Sequence, residues 1–409
     1  MLKNIVVEDA WEVLRSVIVP LQPESVLLND ALGRIAAIDI AATDDLPHAN
    51  QSAVDGFVIH NDNLLGNCEL KIGDPLGPGK IPNSPLLPGN TVKVGTGGVL
   101  PEGTAAVIPE EKSAVQGNYL SVETKYFSGS NVRTQGEDFK LGDIIVGRHE
   151  RLTPGMLGVL AAFGQETVKV YRQPSVALLC LGPEIIPHDF SPLDGQVRDS
   201  NGLLLSSLIM QEGGRITGLR YIGEKPEGSS ILDKSGNIFE KADLIVTIGG
   251  AYGDFSKLAP SILREAGAEM LFWEILSKPG SHSGGGIWRS KPILALSGNA
   301  AACVVGYHLL VSPVLRKMQG LNLEPQRVML PSIDKYKRNG KSRRFLRGQI
   351  IVDDGMLKVR ILPGQKSSMM RSLLDYNSLI DLRPEHPPVQ ENSLVAVIPL
   401  HGSNIVEID

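Results

Sequence analysis

The stretch from Pro174 to Met318 constrains the fold more than any other part of the chain, because apolar runs and helical stretches alternate along it. Ser175–Leu181 is an uninterrupted apolar run that ends at Gly182, the pattern of a strand buried on both faces. The other strand candidates are Arg215–Ile222, Asp243–Ile248, Met270–Leu276 and Pro292–Leu296, and the helix candidates are Asn201–Glu212, Lys257–Ala266 and Ala300–Met318. This alternation predicts a parallel α/β sheet with right-handed crossovers.

The chain on either side of this stretch has a different pattern. Between about residues 53 and 146, short apolar runs separated by Gly, Pro and Asn predict a small β-rich domain; the runs are Val54–Ile59, Thr91–Val94, Ala105–Ile108 and Tyr119–Val122. Helical patterns flank it: two helices are predicted within residues 7–36, the second with Gly33 near its end, and helical spacing returns at 152–163. After Gly320, a C-terminal β domain is predicted by the strand-like runs Arg344–Val352, Leu357–Leu362 and Ser393–Pro399. The expected fold class is multidomain, with α/β and β parts.

Composition excludes several classes of protein. The 409 residues include 40 Lys and Arg against 45 Asp and Glu, and the net charge of -5 provides no general attraction to nucleic acid. Cys68, Cys180 and Cys303 are far apart, so we expect neither a disulfide framework nor a thiolate zinc site. No run reaches the roughly 18 apolar residues of a membrane span, and acidic residues such as Glu8 interrupt any signal peptide. We therefore expect a cytoplasmic protein that binds neither nucleic acid nor membrane.

Glycine-containing segments follow three of the predicted strands. They are Leu181-Gly182-Pro183-Glu184, Gly249-Gly250 and Ser297-Gly298-Asn299. Ligands of open α/β sheets bind outside the carboxyl ends of the strands, and glycines there let backbone N–H groups approach a phosphate. Glycines also make tight turns without any ligand, so the residues alone leave both interpretations open.

Other polar residues give weaker signals. The stretch 277–286 is Ser-Lys-Pro-Gly, Ser281-His282-Ser283 and Gly284–Gly286, and it predicts a polar, flexible loop. Lys278 within it is either an anion ligand or an ordinary solvated lysine. His282 and His308 have no third metal-binding partner nearby in the sequence, which favours a structural role. Asp55-Gly56 and Gly136-Glu137-Asp138 place carboxylates in turns, where they suit Mg²⁺ but are also typical of Asx-turns. On the residues alone, the turn is favoured.

A set of ordered motifs runs through nearly the whole chain. In the first half they are Ser52-Ala53-Val54-Asp55-Gly56-Phe57, Thr96-Gly97, Leu100-Pro101-Glu102-Gly103, Asn131-Val132-Arg133 and Gly136-Glu137-Asp138. In the second half they are Gly195-Gln196-Val197-Arg198-Asp199-Ser200-Asn201, Gly249-Gly250, Lys278-Pro279-Gly280, Gly298-Asn299 and Phe345-Leu346-Arg347-Gly348. Together and in this order, they resemble the molybdopterin molybdenumtransferase family, which includes bacterial MoeA proteins and the E domain of gephyrin.

The resemblance implies an elongated, four-domain, MoeA-like subunit that forms a homodimer. The expected domains are a discontinuous N-terminal helical domain (1–46 and 140–172), an inserted β-rich domain (47–139), an α/β molybdopterin-binding-like domain (173–322) and a C-terminal β-barrel (323–409). It also implies that the active site is shared between the α/β domain of one subunit and the β-rich domain of the other.

The chemistry implied by the resemblance is insertion of molybdate into adenylylated molybdopterin, with Mg²⁺-assisted hydrolysis of the adenylyl group. The partners would be these pterin and oxyanion ligands, and other proteins of molybdenum cofactor biosynthesis. By their positions in the motifs, the catalytic residues would be Asp55, Asp138, Glu184 and Lys278. Substrate would be bound by Thr96, Glu224, Gly249, Gly250, Ser297, Gly298 and Asn299. Because carboxylates repel a pyrophosphate unless a metal lies between them, Mg²⁺ would be held by Asp55, Asp138 and Asp254.

The chain departs from the family pattern at the strand ends of the α/β domain. Glu274 and Ser281 stand where the family carries lysines, and His282 stands in place of a proline. The family's Thr-Gly-Asp-Glu and Pro-Gly-Asn-Pro-x-Ser are here Leu181-Gly182-Pro183-Glu184 and Ser297-Gly298-Asn299-Ala300-Ala301-Ala302. Two cations are lost and one anion is gained beside anionic substrates.

These departures leave two alternatives to an active molybdenum-inserting enzyme. One is a divergent, non-catalytic paralogue that acts as a binding or scaffold protein, and the other is an enzyme for a related oxyanion or pterin. Glu274 either weakens the oxyanion site or turns outward to pair with Arg289 or Lys291. The arginines at 343, 344 and 347 are candidates to replace the missing lysines.

Overall fold

A computed structural model describes residues 1–77, 79–222, 237–250, 258–337, 342–400 and 406–407. The backbone separates into two units. The first unit comprises Met1–Val26, Gly33–Ala37 and Lys169–Asp409, and the second comprises Leu27–Leu32 and Ile38–Val168. The four domain boundaries expected from the family resemblance stay a prediction.

The helices follow the apolar spacing of the sequence closely. The α-helices of the described residues are α1 (Val7–Val17), α2 (Pro154–Ala162), α3 (Asn201–Gln211), α4 (Asn237–Glu240), α5 (Leu258–Glu265), α6 (Ala300–Gly306) and α7 (Ser312–Met318). The second helix expected before residue 36 was wrong, since only a 3-10 turn forms there, at Leu28–Asp30. So short a segment cannot repay the cost of nucleating an α-helix, and Gly33 then adopts a positive φ.

The helix predicted from Ala300 to Met318 is continuous, but its hydrogen-bonding pattern changes in the middle. A π-helical turn, Tyr307–Val311, joins α6 to α7. Pro313 follows directly, and its ring nitrogen has no hydrogen to donate to the preceding turn. The interruption therefore lies where the regular hydrogen-bond ladder has to break.

Short strands account for most of the remaining structure. The first unit begins with β1 (Leu2–Ile5), and β2 (Pro23–Leu27) follows. The second unit contains β3 (Ile40–Ala41), β4 (Gln51–Ser52), β5 (Gly56–His60), β6 (Cys68–Ile72), β7 (Asn90–Thr91), β8 (Lys93–Val94), β9 (Thr104–Pro109), β10 (Ala114–Gln116), β11 (Tyr119–Val122), β12 (Val132–Arg133) and β13 (Ile144–Val146).

The α/β part begins after residue 166. Its strands are β14 (Thr167–Tyr171), β15 (Ser175–Leu181), β16 (Ile185–Ile186), β17 (Val197–Arg198), β18 (Arg215–Ile222), β19 (Leu244–Gly249), β20 (Glu269–Ile275), β21 (Ser277–Lys278), β22 (Gly284–Trp288) and β23 (Lys291–Leu296). The C-terminal strands are β24 (Val328–Pro331), β25 (Arg343–Asp353), β26 (Met356–Ile361), β27 (Ser378–Leu382), β28 (Leu394–Pro399) and β29 (Val406–Glu407).

The central sheet of the first unit has the strand order β1-β20-β22-β23-β19-β15-β18. Six of these strands run in the same direction, and β22 alone runs against its neighbours. The sequence predicted a flexible loop at Gly284–Gly286, and that prediction was wrong. A Cβ at Gly284 would lie 2.4 Å from the Trp273 ring, so these glycines let a strand pack closely against bulky side chains.

Helices cover both faces of this sheet, as its doubly buried strands predicted. Alternate residues of β15 face opposite sides: Val176, Leu178 and Cys180 join the core with α1, α3, α6 and α7. Ala177 and Leu179 join a second core with α5. No helix in the described part of the chain combines the length and apolar character that crossing a membrane requires.

The second unit consists of small sheets linked by turns. β5 lies between β8 and β9, and a further sheet has the order β10-β11-β6-β7. Two hydrophobic cores pack on opposite faces of β5, one around Phe57 and Leu120 and one around Val58 and Val107. Consecutive residues of β5 therefore face opposite cores, which explains why its sequence is apolar rather than alternating.

The C-terminal part of the first unit is a largely antiparallel sheet with the order β21-β25-β27-β28-β24, and β26 and β29 also pair with β25. A single bridge joins Ser332, just after β24, to Val359 in β26. Through this bridge the strands return to β25 around a core that includes Leu346, Ile380 and Val397. The β character expected of this domain is present, with one bridge rather than a full ladder at the point of closure.

Candidate active site at the sheet edge

The glycine-containing segments and Lys278, which the sequence placed after strands of the α/β part, lie at one edge of the central sheet. β15, β19, β20 and β23 run in the same direction, so their carboxyl ends lie together. Glu184 follows β15, Gly249 and Gly250 end β19, Lys278 follows β20, and the segment 297–299 follows β23. Four segments far apart in sequence therefore lie along the edge of the sheet where ligands of α/β sheets bind.

The glycines at this edge pack against one another. Gly249 has a φ of 89°, and a Cβ there would lie 2.5 Å from the Leu181 carbonyl oxygen. A Cβ at Gly298 would lie 3.2 Å from the Cα of Gly249. Glycine is thus required at the end of β19 by conformation and space, which supports the tight-turn interpretation. The same close packing leaves an edge without side chains, where backbone groups can meet a ligand.

Asp199 and Asn201, which lie within the Gly195 to Asn201 motif, also contact this edge. The Asn201 Nδ2 donates to the Gly298 carbonyl oxygen at 2.7 Å. The Asp199 carboxylate accepts hydrogen bonds from the Tyr221 hydroxyl at 3.1 Å and the Gly202 N–H at 2.8 Å. The sequence signal for these residues was their position, because Asn201 begins the helix predicted after the Ser175–Leu181 strand and Asp199 lies just before it.

Glu184 and Lys278 are both exposed at the edge. The Glu184 carboxylate lies over Gly182, since a Cβ on that glycine would be 2.7 Å from its Oε2. Lys278 has no carboxylate within ion-pair distance among the described residues. Both side chains are therefore accessible to a ligand.

The arginines considered as replacements for the missing lysines differ in their surroundings. Arg343 forms charge-assisted hydrogen bonds with Asp381 and Glu8, and these raise its pKa against the effect of burial. Arg347 is fully buried, donates to Ser372 and to the Gly364 carbonyl oxygen, and its pKa is lowered by burial to about 10. Both arginines hold the C-terminal sheet together. Arg344 is the exception: it lies opposite Lys278 in the β21–β25 pair, and its buried Nε has no hydrogen-bond partner within the described ranges.

Glu274 contacts neither of the cations considered for it. Its Oε1 lies 3.6 Å from Nδ1 of His282, another position where the chain departs from the family pattern. Arg289 lies 3.7 Å from Glu240, and the Lys291 ammonium donates to the Phe239 carbonyl oxygen at 3.0 Å. Outward pairing of Glu274 with Arg289 or Lys291 was therefore wrong. The two unusual residues face each other because Glu274 N–H donates to Ser283 O, which brings the 281–283 segment beside β20.

In the second unit, Asp55 and Thr96 form one site. Asp55 Oδ1 accepts from the Thr96 backbone N–H at 2.6 Å and from its hydroxyl at 2.9 Å. These bonds, the backbone one foremost, lower the pKa of the exposed Asp55 carboxyl, so the carboxylate is both ionised and held in one orientation. Gly56 is required here, because a Cβ would lie 1.9 Å from the Ile108 carbonyl oxygen.

Asp138 lies in a neighbouring turn of the same unit. Its backbone N–H donates to the Leu46 carbonyl oxygen, and its side chain is exposed. Nearby Asp45 and Glu137 instead use their carboxylates to hold the turn, and backbone hydrogen bonds from Leu141 and Thr134 lower the pKa of the two groups, respectively. Asp138 is thus the carboxylate of this turn that remains available to a ligand.

Hydrogen bonds to one short segment, Asn50 to Ser52, bring these turns together. Gly97 N–H donates to the Ser52 carbonyl oxygen, and Gln135 N–H donates to the Asn50 side chain. No three His, Cys, Asp or Glu side chains within the described ranges lie close enough to hold a metal ion. Glu224 and Asp254, two of the expected site residues, lie outside the described residues. Exposed, ionised carboxylate oxygens such as those of Asp55 are nevertheless the donor type that Mg²⁺ takes, so the residues present fit that ion.

Comparison with known proteins is consistent along the whole chain. Family models match in succession: the MoeA N-terminal region (domains I and II) over residues 5–164, a probable molybdopterin binding domain over 177–317, and the MoeA C-terminal region (domain IV) over 330–400. The molybdopterin biosynthesis MoeA protein from Pyrococcus horikosii has a similar crystal structure, with a TM-score of 0.82 and 26% identity over 97% of this chain and 99% of that one. The expected multidomain, MoeA-like architecture is confirmed.

Sequence relatives agree with the structural match. The molybdopterin molybdenumtransferase of Staphylococcus epidermidis (strain RP62A) is 28% identical over 391 residues, covering 93% of this chain and 91% of that protein. The protein of the same name from Staphylococcus aureus (strain Mu50) is 31% identical over 332 residues, covering 80% of this chain and 78% of that protein. The chain belongs to the molybdopterin molybdenumtransferase family.

Proposed function

We propose that this chain inserts molybdate into adenylylated molybdopterin, a step of molybdenum cofactor biosynthesis. The relatives named above are molybdopterin molybdenumtransferases, and family membership favours the enzyme over the non-catalytic alternative. The observation that supports the proposal is the alignment of Glu184, Lys278 and the glycine turns along the carboxyl-end edge of the sheet.

Each group at this edge has a chemical use in the proposal. The Lys278 ammonium would attract molybdate or a phosphate group, because it is exposed and has no competing carboxylate among the described residues. The backbone around Gly249, Gly250 and residues 297–299 would approach the phosphates of the pterin substrate closely. Glu184 would hold or move a proton beside them, since its carboxylate is exposed over Gly182.

We also propose that Mg²⁺ assists the reaction. Asp55 and Asp138 would hold it together with Asp254, and Thr96 would keep the Asp55 carboxylate ionised and oriented. When bound, Mg²⁺ would neutralise negative charge on the pyrophosphate that is cleaved.

A cytoplasmic homodimer is the assembly that we propose, with other proteins of the same biosynthesis as partners. The free cysteines Cys68, Cys180 and Cys303 suit a reducing compartment. If substrate binding needs two subunits, dimer dissociation should abolish activity. Light scattering that shows a monomer at micromolar concentration would contradict this assembly.

Genetic complementation tests the proposed function. The chain would be expressed in a bacterium lacking its own molybdopterin molybdenumtransferase, and the activity of a molybdenum-dependent enzyme would be measured. Wild type should restore that activity, Lys278→Ala should reduce it by at least tenfold, and Lys169→Ala, at another exposed lysine, should match wild type. Failure of wild-type protein that is expressed and folded would contradict the proposal.

A further inference from the structure

We infer that Asp199 and Asn201 are positioning residues, whose side chains hold the strand-end turns of the proposed active site in a fixed arrangement. The expected effect on substrate binding rests on the proposed function, whereas the hydrogen bonds of these two side chains do not. Neither side chain is a member of the proposed catalytic, substrate-binding or metal-binding sets. Their contacts reach the ends of β15, β18 and β23.

Asp199 is a buried carboxylate with three donors. It is 5% exposed, and its Oδ2 accepts from the Cys180 thiol at 3.5 Å and from the Tyr221 hydroxyl at 3.1 Å. Its Oδ1 accepts from Gly202 N–H at 2.8 Å. Burial, then the Asp199 charge, raises the pKa of both Cys180 and Tyr221, so both remain protonated donors at neutral pH. One carboxylate thereby ties the ends of β15 and β18 to the start of α3.

The backbone of Asp199 is fixed to the Glu184 segment. β16 and β17 form a short parallel pair, in which Val197 N–H donates to the Glu184 carbonyl oxygen at 2.8 Å. Asp199 N–H continues this pattern by donating to the Ile186 carbonyl oxygen at 2.8 Å. The position of the Glu184 backbone is therefore coupled to the carboxylate that links β15 and β18.

Asn201 extends the same network across the sheet edge. Its Nδ2 donates at 2.7 Å to the carbonyl oxygen of Gly298. Gly298 is 97 positions further along the chain and lies outside α3, in the turn after β23. Gly298 in turn lies against Gly249, where a Cβ would approach within 3.2 Å. One hydrogen bond from the Asn201 side-chain amide thus fixes the position of the turn after β23. The turn after β19 packs against it, so its position is fixed as well.

The contacts of Asn201 separate a positioning role from ordinary helix capping. Asp199 accepts the N–H of a residue in the first turn of α3, which any aspartate at a helix start does. The Asn201 bond satisfies no group of α3 and ends on the backbone of a turn proposed to bind substrate. Stabilising α3 alone would not require it, whereas fixing the Gly298 turn does.

Hydrogen exchange in the ligand-free full-length protein tests the inference. Asn201→Ala removes the donor, and Asn201→Asp places a second acceptor opposite the Gly298 carbonyl oxygen. Amide exchange in the 297–300 segment should rise about three- to tenfold in the alanine variant, and more in the aspartate variant, because one hydrogen bond is lost. Ser207→Ala is the matched control, since that hydroxyl only bonds back to Leu203 within α3.

Steady-state kinetics then separates this inference from the proposed function. The backbone of the turn should bind phosphate equally in the ground and transition states. Displacing it in the Asn201 variants should therefore raise KM for adenylylated molybdopterin about fivefold and change kcat less than twofold. Unchanged exchange at 297–300 in both Asn201 variants would overturn the inference, as would unchanged KM in variants of an active enzyme. If wild type inserts no molybdenum while exchange still rises in the variants, the positioning holds and the proposed function fails.

Discussion

The sheet edge of the first unit and the turns of the second unit prepare for a ligand in opposite ways. At the edge, space is the controlled quantity: Gly249 and Gly298 exclude side chains and bring backbone close together. In the turns, a negative charge is held in place: the backbone N–H and the hydroxyl of Thr96 orient the exposed Asp55 carboxylate and lower its pKa. The edge should therefore fail through steric change, and the turns through loss of charge.

Gly249→Ala should have the largest effect. The new Cβ would meet the Leu181 carbonyl oxygen at 2.5 Å on a backbone with φ of 89°. We expect a loss of about 3 kcal/mol or more in the free energy of unfolding, combining conformational strain with a backbone clash. Gly267→Ala is the control, because its φ is also positive, at 83°, with nothing within 4 Å. It should cost about 1–2 kcal/mol by urea denaturation. Equal losses would refute the steric account.

A buried histidine gives the first unit a pH response that begins near pH 6.5, above the range in which the carboxylates of the turns titrate. His308 contacts the Tyr376 hydroxyl at 3.2 Å, and burial lowers its pKa to about 3. Between about pH 6.5 and pH 3 the unfolded state binds the extra proton, so stability falls as the pH is lowered. From pH 6.5 to pH 5 we expect a loss of about 2 kcal/mol.

The His308 contribution is measured by urea denaturation at both pH values. His308→Gln should remove most of this pH dependence, while His188→Gln, at an exposed histidine, should keep it. A His308→Gln variant that retains the full wild-type slope would show that another group is responsible.

Asp138→Asn tests the turns by charge alone. The amide has nearly the same shape, so the fold should persist, but a neutral oxygen is a poorer Mg²⁺ ligand. We expect turnover at limiting Mg²⁺ to fall about tenfold or more, with little change in unfolding midpoint. Asp74→Asn, another exposed aspartate of this unit, should behave as wild type. An unchanged Mg²⁺ dependence in Asp138→Asn would remove that residue from the site.

Glu274→Lys combined with Ser281→Lys should produce the smallest effect. Unit charges 4 Å apart at an effective dielectric of about 20 interact by about 4 kcal/mol, and a quarter of this after screening is about fivefold in affinity. We therefore expect molybdate affinity, measured by calorimetry, to rise about fivefold. Glu269→Lys adds a cation at the opposite end of β20 and should leave the affinity unchanged. No difference between these two variants would mean that Glu274 does not influence the oxyanion.

The sequence predicted the fold best where burial imposed a pattern. Ser175–Leu181 was predicted with its observed bounds because a strand buried on both faces has to be apolar throughout. β22 was missed because its three glycines have the composition of a loop. Their purpose is visible only against Trp273 and Phe272, which approach from another strand.

Site geometry was less predictable because its contacts join distant residues. The sequence indicated that Asp55 and Thr96 belonged to motifs, but it gave no means of deriving their shared hydrogen bonds. The contact between Glu274 and His282 depends on a left-handed residue, Glu274 with a φ of 66°, and on the return of the chain beside β20. Such local backbone choices follow from tertiary packing and leave little trace in residue order.

Insertion of molybdenum by this chain is measured by counting the metal transferred to the pterin. Purified protein would be mixed with molybdate, Mg²⁺ and adenylylated molybdopterin, and molybdenum bound to released pterin would be measured by mass spectrometry. Wild type should transfer about one molybdenum per pterin, Lys169→Ala should match it, and Lys278→Ala should be slower by at least tenfold. Equal rates for Lys278→Ala and wild type, or no transfer by folded wild type, would contradict the account.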